Sequence, residues 1–266
     1  MDMNQTIVIN HNFGFFSCCS VRLAEIILYV NKYNKLPVDV NSSNSFRMYK
    51  CADIDVTFHF FTHYNEIHPQ IEPEYKHIDI DHNCYQFTNY KNIDYTYIIP
   101  FITKYFTPTP SILSNYNNLI NKYNIIPQKC IGLYYRGTDK AGETEIDSFE
   151  SYYNKLKEIE LIDPGLQVII QTDTIQFLEY MKEQHKNKHK NIIVIEENNL
   201  FYTNKGIHYE QNSRVNYLNM YHLFSTFLIL SKCKYILCST SNCSLWITFY
   251  RNNANNVYQN LNKKWI

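Results

Sequence analysis

The sequence predicts an α/β protein made of two Rossmann-like halves, each with a parallel sheet, that face each other across a cleft. Short β-branched runs alternate with helical patterns, and strands that alternate with helices pair in parallel through right-handed crossovers. A second observation is a break at residues 107–128, where prolines and asparagines separate two regions of different composition. The length of 266 residues is enough for two domains of ordinary size. We therefore expect an N-terminal α/β domain over residues 1–125 and a C-terminal domain over residues 126–266.

The C-terminal half shows the alternation most clearly. Its β-branched and apolar runs predict four strands, at Cys130–Arg136, Gln167–Gln171, Asn191–Ile195 and Lys234–Cys238. Apolar residues at the 3.6-residue period predict helices between and after them, at Ser148–Leu161, from Asp173 through Met181, at Asn216–Leu230 and at Ser244–Tyr250. Asp147 and Glu150 resemble a capping pair for the first helix, and Asp173 is placed to cap the second.

The N-terminal half is less regular but begins in the same way. Thr6–Ile9 predicts a strand, and a turn at residues 12–14 leads into a helix whose apolar residues repeat between Leu23 and Val30. The β-branched and aromatic run Val56–Phe61 predicts another strand. These elements indicate a second α/β unit that faces the first across the cleft.

Charge and composition exclude several classes of partner. The 25 basic and 25 acidic residues cancel, so no global field attracts nucleic acid. No apolar run reaches the roughly 18 to 20 residues that span a bilayer, and the N-terminus lacks a secretory apolar segment. The eight cysteines contain no Cys-x-x-Cys pair, which predicts buried thiols rather than a zinc site or a disulfide framework. We expect a cytoplasmic protein that binds neither nucleic acid nor a membrane.

Polar residues follow three of the predicted strands in the C-terminal half. The first strand ends at Arg136, and Lys140 follows it. Thr172–Asp173 follow the second strand, and Ser239–Ser244 follow the fourth. Ligands of doubly wound sheets bind outside the carboxyl ends of the strands. Small hydroxyl residues that open a helix suit an anion, because backbone N–H groups and the helix dipole favour negative charge there. Since only five of the basic residues are arginines, a strand-end Arg is conspicuous. These features indicate a phosphate-bearing ligand.

Each of these features has a simpler structural interpretation. Arg136 could form a local ion pair with Asp139. Thr172–Asp173 could serve only as a helix cap, which is the interpretation that we favour for these two side chains, and Ser239–Ser244 could be an ordinary capping loop. We favour the phosphate site because the three polar strand ends fall on one predicted edge of the sheet.

The same residues resemble a known family. The segment Arg136-Gly-Thr-Asp139-Lys140-Ala-Gly142-Glu143-Thr-Glu145 is similar to the His-x-Arg-x-Thr-Asp-Lys-x-Gly-Thr-Glu signature of α1,6-fucosyltransferases, the core N-glycan and nodulation enzymes. Thr172–Asp173 and the serine-rich Ser239–Ser244 follow in the family's order. The resemblance covers roughly Cys130 to Tyr250 and implies a GT-B fold. More loosely, the turn His11–Ser17 stands where the family has a glycine-rich first loop.

The resemblance implies a role for each matching residue. Arg136 would neutralise the β-phosphate of a GDP-sugar, and Lys140 with Ser241 or Asn242 would hold the diphosphate. Glu143 or Glu145 would be the base that takes a proton from the acceptor hydroxyl, with inversion at the anomeric carbon and without a metal. The complete set of expected donor-binding residues is Asn12, Gly14, Ser17, Arg136, Asp139, Lys140, Asp173, Ser239, Ser241 and Asn242.

The resemblance therefore predicts an inverting glycosyltransferase that transfers fucose from GDP-fucose to a glycan hydroxyl and needs no cofactor. Two residues that grip guanine in the family differ, since Tyr134 replaces its His and its acidic residue falls near Thr226. These departures leave open a different nucleotide sugar, or a non-catalytic glycan-binding or assembly protein with a transferase fold. A third alternative is a metal-dependent GT-A transferase that uses Asp79 and Asp81. The absence of a membrane stem and of accessory domains is consistent with a cytoplasmic, virus-encoded or bacterial enzyme.

Overall fold

A computed structural model describes residues 6–50, 54–67, 76–81, 83–137, 140–185, 192–198 and 212–266. The strands are β1 (Thr6–Val8), β2 (Asp39–Asn41), β3 (Cys130–Tyr135), β4 (Gln167–Thr172), β5 (Ile192–Val194), β6 (Tyr235–Ser239), β7 (Val257–Leu261) and β8 (Lys264–Trp265). The helices are α1 (Phe15–Tyr33), α2 (Thr57–Phe60), α3 (Tyr95–Tyr105), α4 (Pro110–Lys122), α5 (Phe149–Ile162), α6 (Ile175–Gln184), α7 (Ser213–Lys232) and α8 (Asn242–Arg251).

The C-terminal half forms a six-stranded sheet in the order β5-β4-β3-β6-β7-β8. All neighbouring strands in it are parallel except β7 and β8. The four strands predicted there are confirmed, and so is the mixed α/β fold with parallel pairing. Because the carboxyl ends of β3, β4 and β6 lie side by side, the residues that follow them share one edge of the sheet.

The N-terminal half contributes a small parallel sheet of β1 and β2 in its described residues. Its predicted strand at Val56–Phe61 is wrong, because α2 forms there instead. The Asp55 carboxylate accepts a hydrogen bond from the backbone N–H of Thr57 at 3.0 Å, and this turns the chain into a helix. Phe60 and Phe61 are buried all the same.

The predicted caps of two helices are also wrong. The N-cap of α5 is Ser148, whose hydroxyl accepts from the backbone N–H of Ser151 at 3.1 Å. The N-cap of α6 is Thr174, which makes no side-chain cap hydrogen bond. Asp173 points elsewhere, because its carboxylate accepts from the backbone N–H of Gly137 at 2.9 Å. The same carboxylate oxygen accepts from the Thr174 hydroxyl at 3.0 Å, and Asp173 lines a cavity at this edge of the sheet.

Two buried clusters cover the two faces of the large sheet. One contains residues from β3, β4, β6, α5 and α6, among them Leu133, Leu156 and Phe177. The other extends from Ile9 to Val257 and so contains residues from both halves. The boundary between residues 125 and 126 falls in the connection between α4 and β3, and the division into two domains stays a prediction. Within the described part of the chain, no helix is long and apolar enough to cross a membrane.

Candidate functional site

A cavity of about 360 Å³ lies at the carboxyl ends of β3 and β4, beside the start of α8. Two predicted donor-binding residues from the N-terminal half, Gly14 and Ser17, line it. From the C-terminal half it is lined by the predicted residues Arg136, Lys140, Glu143, Asp173, Ser241 and Asn242. The structure thus brings together in one cavity most of the side chains that the strand-end pattern singled out.

Arg136 follows the last residue of β3 and is held from two sides. Its backbone N–H donates to the Ser239 hydroxyl at 3.0 Å, and its guanidinium Nε lies 3.1 Å from an Asp173 carboxylate oxygen. The Asp173 side chain is 7% exposed and that of Arg136 20% exposed. A buried carboxylate that orients a guanidinium fixes the fork with which Arg binds phosphate oxygens.

Gly137 lets the chain leave β3 at this point. A Cβ atom on Gly137 would lie 2.5 Å from the Thr174 hydroxyl and 2.7 Å from the Tyr135 ring. Both distances are shorter than van der Waals contact, so only glycine fits without movement of β3 or of the start of α6. The next two residues, Thr138 and the predicted site residue Asp139, lie outside the described residues.

Lys140 supplies a second cation to the cavity wall. It is buried, its ammonium forms an ion pair with Glu143, and it lies 5.4 Å above the centre of the Phe87 ring. Its third contact is the Gln86 side-chain oxygen, at 3.4 Å. The Glu143 side chain is about half exposed and lines the cavity. This places a carboxylate beside the cation that would meet a diphosphate.

Glu145, the other predicted base, is directed away from this site. Its side chain is 68% exposed and pairs with Lys263 at 3.4 Å. It lines neither this cavity nor the second one described below. The geometry therefore separates two carboxylates that sequence reasoning could not distinguish.

The start of α8 also lines the cavity. The Ser241 hydroxyl caps the helix by accepting from the backbone N–H of Ser244 at 3.1 Å. Asn242 accepts a hydrogen bond from the Ser20 hydroxyl at 2.7 Å, and the Tyr90 hydroxyl donates to the Ser241 carbonyl at 3.1 Å. Both partners belong to the N-terminal half. The first turn of a helix that is capped in this way favours an anion.

Two predicted donor-binding residues support the site from outside the cavity. Ser239 accepts hydrogen bonds from the Arg136 backbone and, at 2.9 Å, from the Tyr152 hydroxyl. Asn12 bonds Arg47 and Asn44 in the loop that follows β2, with both distances 3.0 Å. Neither residue lines the cavity, so each is placed to position the loop that does.

A second cavity of about 400 Å³ adjoins the first and shares Ser17, Gln86 and Asn242 with it. Its remaining polar lining comes from the N-terminal half and consists of Asn10, His11, Glu25 and Asn83. The His11 ring nitrogen Nε2 lies 3.0 Å from the Ser17 hydroxyl. Amides, an imidazole and a carboxylate of this kind can bind the hydroxyl groups of a sugar.

Sequence reasoning missed a polar corner at the sheet side of the first cavity. Gln171 and Asn198 line the cavity and are both 7% exposed. The available signal was a glutamine inside the apolar run of β4, since a buried polar side chain needs partners. Tyr134 lies next to Gln171 in the sheet register. Burial raises the pKa of its hydroxyl well above the usual value, so the hydroxyl stays protonated.

Of the two carboxylates in the metal-dependent alternative, Asp79 and Asp81, that of Asp81 has a local role. Asp81 accepts from the backbone N–H groups of Asn83 and Cys84, at 2.8 and 3.0 Å. Among the residues that the structure describes, no three His, Cys, Asp or Glu side chains are grouped as metal ligands.

No protein-family model and no curated protein sequence matches the chain. Solved structures do match it. One is NodZ α1,6-fucosyltransferase co-crystallized with GDP, with a TM-score of 0.53 and 10% identity over 92% of this chain and 90% of that one. Another is fucosyltransferase NodZ from Bradyrhizobium, with a TM-score of 0.50 and 10% identity over 96% of this chain and 94% of that one. The chain has the fold of the NodZ fucosyltransferases.

The likeness to NodZ covers nearly the whole chain, including the N-terminal half in which motif resemblance was loose. It confirms the GT-B fucosyltransferase-like fold that the segment around Arg136 predicted. At 10% identity the NodZ likeness shows the fold alone.

Proposed function

We propose that the protein is an inverting glycosyltransferase that needs no metal and transfers fucose from GDP-fucose to a glycan hydroxyl. The observation that carries this proposal is the convergence of Arg136, Lys140 and the start of α8 on one cavity of a NodZ-like fold. The proposed location is the cytoplasm, where the seven described cysteines, all free thiols, would stay reduced.

The donor diphosphate binds between the two cations and the helix terminus. Arg136, oriented by Asp173, binds phosphate oxygens through its planar fork, and Lys140 acts as a point charge. Ser241 and Asn242 contribute the first turn of α8 and its dipole. Negative charge develops on the β-phosphate as the bond to the sugar breaks. Preorganised positive groups therefore stabilise the transition state more than the ground state, and they do the work of a divalent cation.

Glu143 is the proposed base. It takes the proton of the acceptor hydroxyl as that oxygen forms its bond to the anomeric carbon, while GDP leaves from the opposite face and the configuration inverts. Base catalysis of this kind supplies on the order of 10² to 10⁴ in rate. Glu145 is not assigned this role, because it pairs with Lys263 outside both cavities.

The acceptor glycan is proposed to bind in the second cavity. That cavity meets the first at Ser17, Gln86 and Asn242, so an acceptor hydroxyl there would reach the donor sugar without crossing the diphosphate. Its polar lining of amides, His11 and Glu25 suits hydroxyl groups.

The test is a transfer assay with GDP-fucose and a panel of glycan acceptors, together with calorimetric donor binding. Arg136→Ala should weaken donor binding by at least tenfold. Glu143→Gln should lower kcat by 10² or more with donor affinity retained, while the matched variant Glu145→Gln keeps wild-type kinetics. Addition of a metal chelator should change neither the transfer rate nor the affinity for the donor. An unaltered rate for both Glu variants would overturn the assignment of the base.

A non-catalytic glycan-binding protein is the second candidate, favoured by one observation. The Glu143 carboxylate forms an ion pair with Lys140, so one of its oxygens contacts a cation instead of an acceptor hydroxyl. Under this alternative, a glycan binds in the second cavity, no sugar is transferred, and both Glu143→Gln and Glu145→Gln bind the glycan as the wild type does.

A further inference from the structure

The Gln86 carboxamide lies where the two cavities meet. Gln86 lines both of them, together with Ser17 and Asn242, although the residue as a whole is only 6% exposed. It belongs to the loop before Tyr90 and lies outside the segment that resembles the fucosyltransferase signature. Neither that signature nor the strand-end pattern assigns it a role. A polar side chain that is buried at such a place needs a partner.

One cation fixes the orientation of this carboxamide. The Lys140 ammonium contacts the Gln86 side chain at 3.4 Å. Since an ammonium group can only donate, the amide atom that faces it must be the oxygen Oε1, and the nitrogen Nε2 must lie on the other side. The Lys140 ammonium is held in turn by the Glu143 carboxylate and by the Phe87 ring, so the group that orients the amide is itself fixed.

The Nε2 atom of Gln86 is left with hydrogens to donate. It makes no hydrogen bond with any residue that the structure describes, and it is not one of the fully buried side-chain atoms that lack a partner in that part of the chain. Nε2 is therefore accessible to solvent. Because so little of Gln86 is exposed and the residue lines both cavities, the space that Nε2 can reach is the junction of the cavities.

The backbone before Gln86 is held in a strained conformation. Cys84 and Tyr85 have φ angles of 47° and 63°, in the left-handed region that residues with a side chain seldom adopt. The Asp81 carboxylate holds this turn by accepting from the backbone N–H of Cys84 at 3.0 Å, and the Tyr85 hydroxyl donates to the Asp79 carbonyl at 2.8 Å. Proteins retain such strain where it positions a functional group. The group that this turn positions is the Gln86 amide.

We propose that Gln86 binds the transferred sugar, with Nε2 donating a hydrogen bond to one of its hydroxyl oxygens, an inference that rests on the proposed function. The sugar is the group that follows the diphosphate, and Gln86 contacts Lys140, the cation that would meet the diphosphate. A hydroxyl oxygen accepts from a neutral amide without any need for charge. Gln86 is then a specificity-determining residue, because its contact favours the nucleotide sugar over the product GDP.

The test compares calorimetric binding of GDP-fucose and of GDP, without acceptor, by the wild type and by variants. The readout is the ratio of the two affinities, since a change in the diphosphate site alone alters both affinities equally. Gln86→Met, of similar length but without an amide, should lower the preference for GDP-fucose by about three- to tenfold, the usual effect of one neutral hydrogen bond. Gln86→Asn, whose amide is one methylene shorter, should lower it by at least about twofold. Retained binding of GDP shows that a variant is folded.

The matched control is Gln176→Met, the same substitution at an exposed position of α6 that lines neither cavity, and its ratio should equal that of the wild type. An unchanged ratio for Gln86→Met, or an equal loss of GDP-fucose and GDP, overturns the sugar contact and leaves the proposed function standing. A raised KM for the glycan acceptor with an unchanged ratio overturns it too, in favour of a contact with the acceptor. A wild type that does not bind GDP-fucose overturns both proposals.

Discussion

The two halves of the molecule are held together by different means. In the C-terminal half, four of the six strands and the helices between them follow from local patterns with periods of two and 3.6 residues. The N-terminal half has two strands of three residues each in its described part, so backbone pairing stabilises little of it. Aromatic side chains that pack against one another stabilise this half instead. Phe15, for example, lies within 6.4 Å of five other aromatic rings besides its neighbour Phe16.

From this difference we infer that the N-terminal half depends on contacts with the C-terminal half for its stability. The Trp246 indole donates to the Ser20 hydroxyl at 2.9 Å, and Gln259 on β7 bonds the backbone of Tyr90 and Thr88. A half that is formed by such contacts is expected to unfold together with its partner. Four substitutions test this comparison, in order of decreasing effect.

Trp246→Ala should have the largest effect. The ring is fully buried between Phe16 and Phe106 from one half and Phe249 from the other. Removing a buried tryptophan costs about 3–5 kcal/mol of unfolding free energy. We expect one cooperative transition in urea at a lower midpoint. Trp265→Ala, on the partly exposed strand β8, is the matched control and should cost less. Two separate transitions in the wild type would contradict the dependence of one half on the other.

Gln259→Ala removes a polar contact between the halves. The side chain is 1% exposed, accepts from the Tyr90 N–H, and donates to the Thr88 carbonyl and the Thr240 hydroxyl, each at 2.9 Å. Leaving buried backbone groups without partners costs about 1–3 kcal/mol. Urea denaturation measures the loss, and hydrogen exchange should show it concentrated around Tyr90. Gln176→Ala, exposed on α6, is the control; equal effects for the two variants would show that the Gln259 contacts contribute nothing.

Ser148→Ala tests how much a helix N-cap contributes to the stability of the C-terminal half. Loss of the N-cap hydroxyl of α5 should lower the free energy of unfolding by about 1 kcal/mol. Hydrogen exchange should increase in the first turn of α5 and stay unchanged in α1. Asn154→Ala, exposed on the same helix, should cost nothing. Faster exchange in the N-terminal half would mean that the C-terminal half is less autonomous than its patterns indicate.

His222 should give a small dependence of stability on pH. Burial lowers the pKa of its imidazole below 6.5, although Glu197 opposes the shift. Since the unfolded chain then binds more protons just below pH 6.5, the folded state loses stability as the pH falls through that value. His222→Gln should remove this contribution, of less than about 1 kcal/mol because solvent still reaches the ring. Denaturation curves of both proteins at pH 7.5 and 5.5 measure it, and identical pH dependence would contradict the assignment.

Local patterns were enough to predict four of the six strands of the large sheet, because alternating strands and helices constrain one another; β7 and β8 were not predicted. They failed at Val56–Phe61, where a single carboxylate, Asp55, turns a β-branched run into a helix. They failed also at Asp173, since a cap and an ion-pair partner look alike until the position of Arg136 is known.

The cations of the site could be predicted because Arg136 and Lys140 follow a recognisable strand. The choice between Glu143 and Glu145 could not, since it depends on the direction of the loop after Lys140. The polar corner at Gln171 and Asn198 could not be predicted either. Asn198 donates hydrogen bonds to Gln171 and Thr226, which lie 27 and 28 positions away in the sequence.

The hydrogen bond between Ser20 and Asn242 joins the two halves at the very residue where the donor is proposed to bind. Binding at Asn242 and association of the halves are then thermodynamically linked, and the linkage is reciprocal. A ligand that strengthens this contact raises the stability of the N-terminal half, and a substitution at Ser20 changes the affinity for a ligand it never touches. Binding at the donor site and binding at the acceptor site would in this way be coupled through the Ser20 hydroxyl.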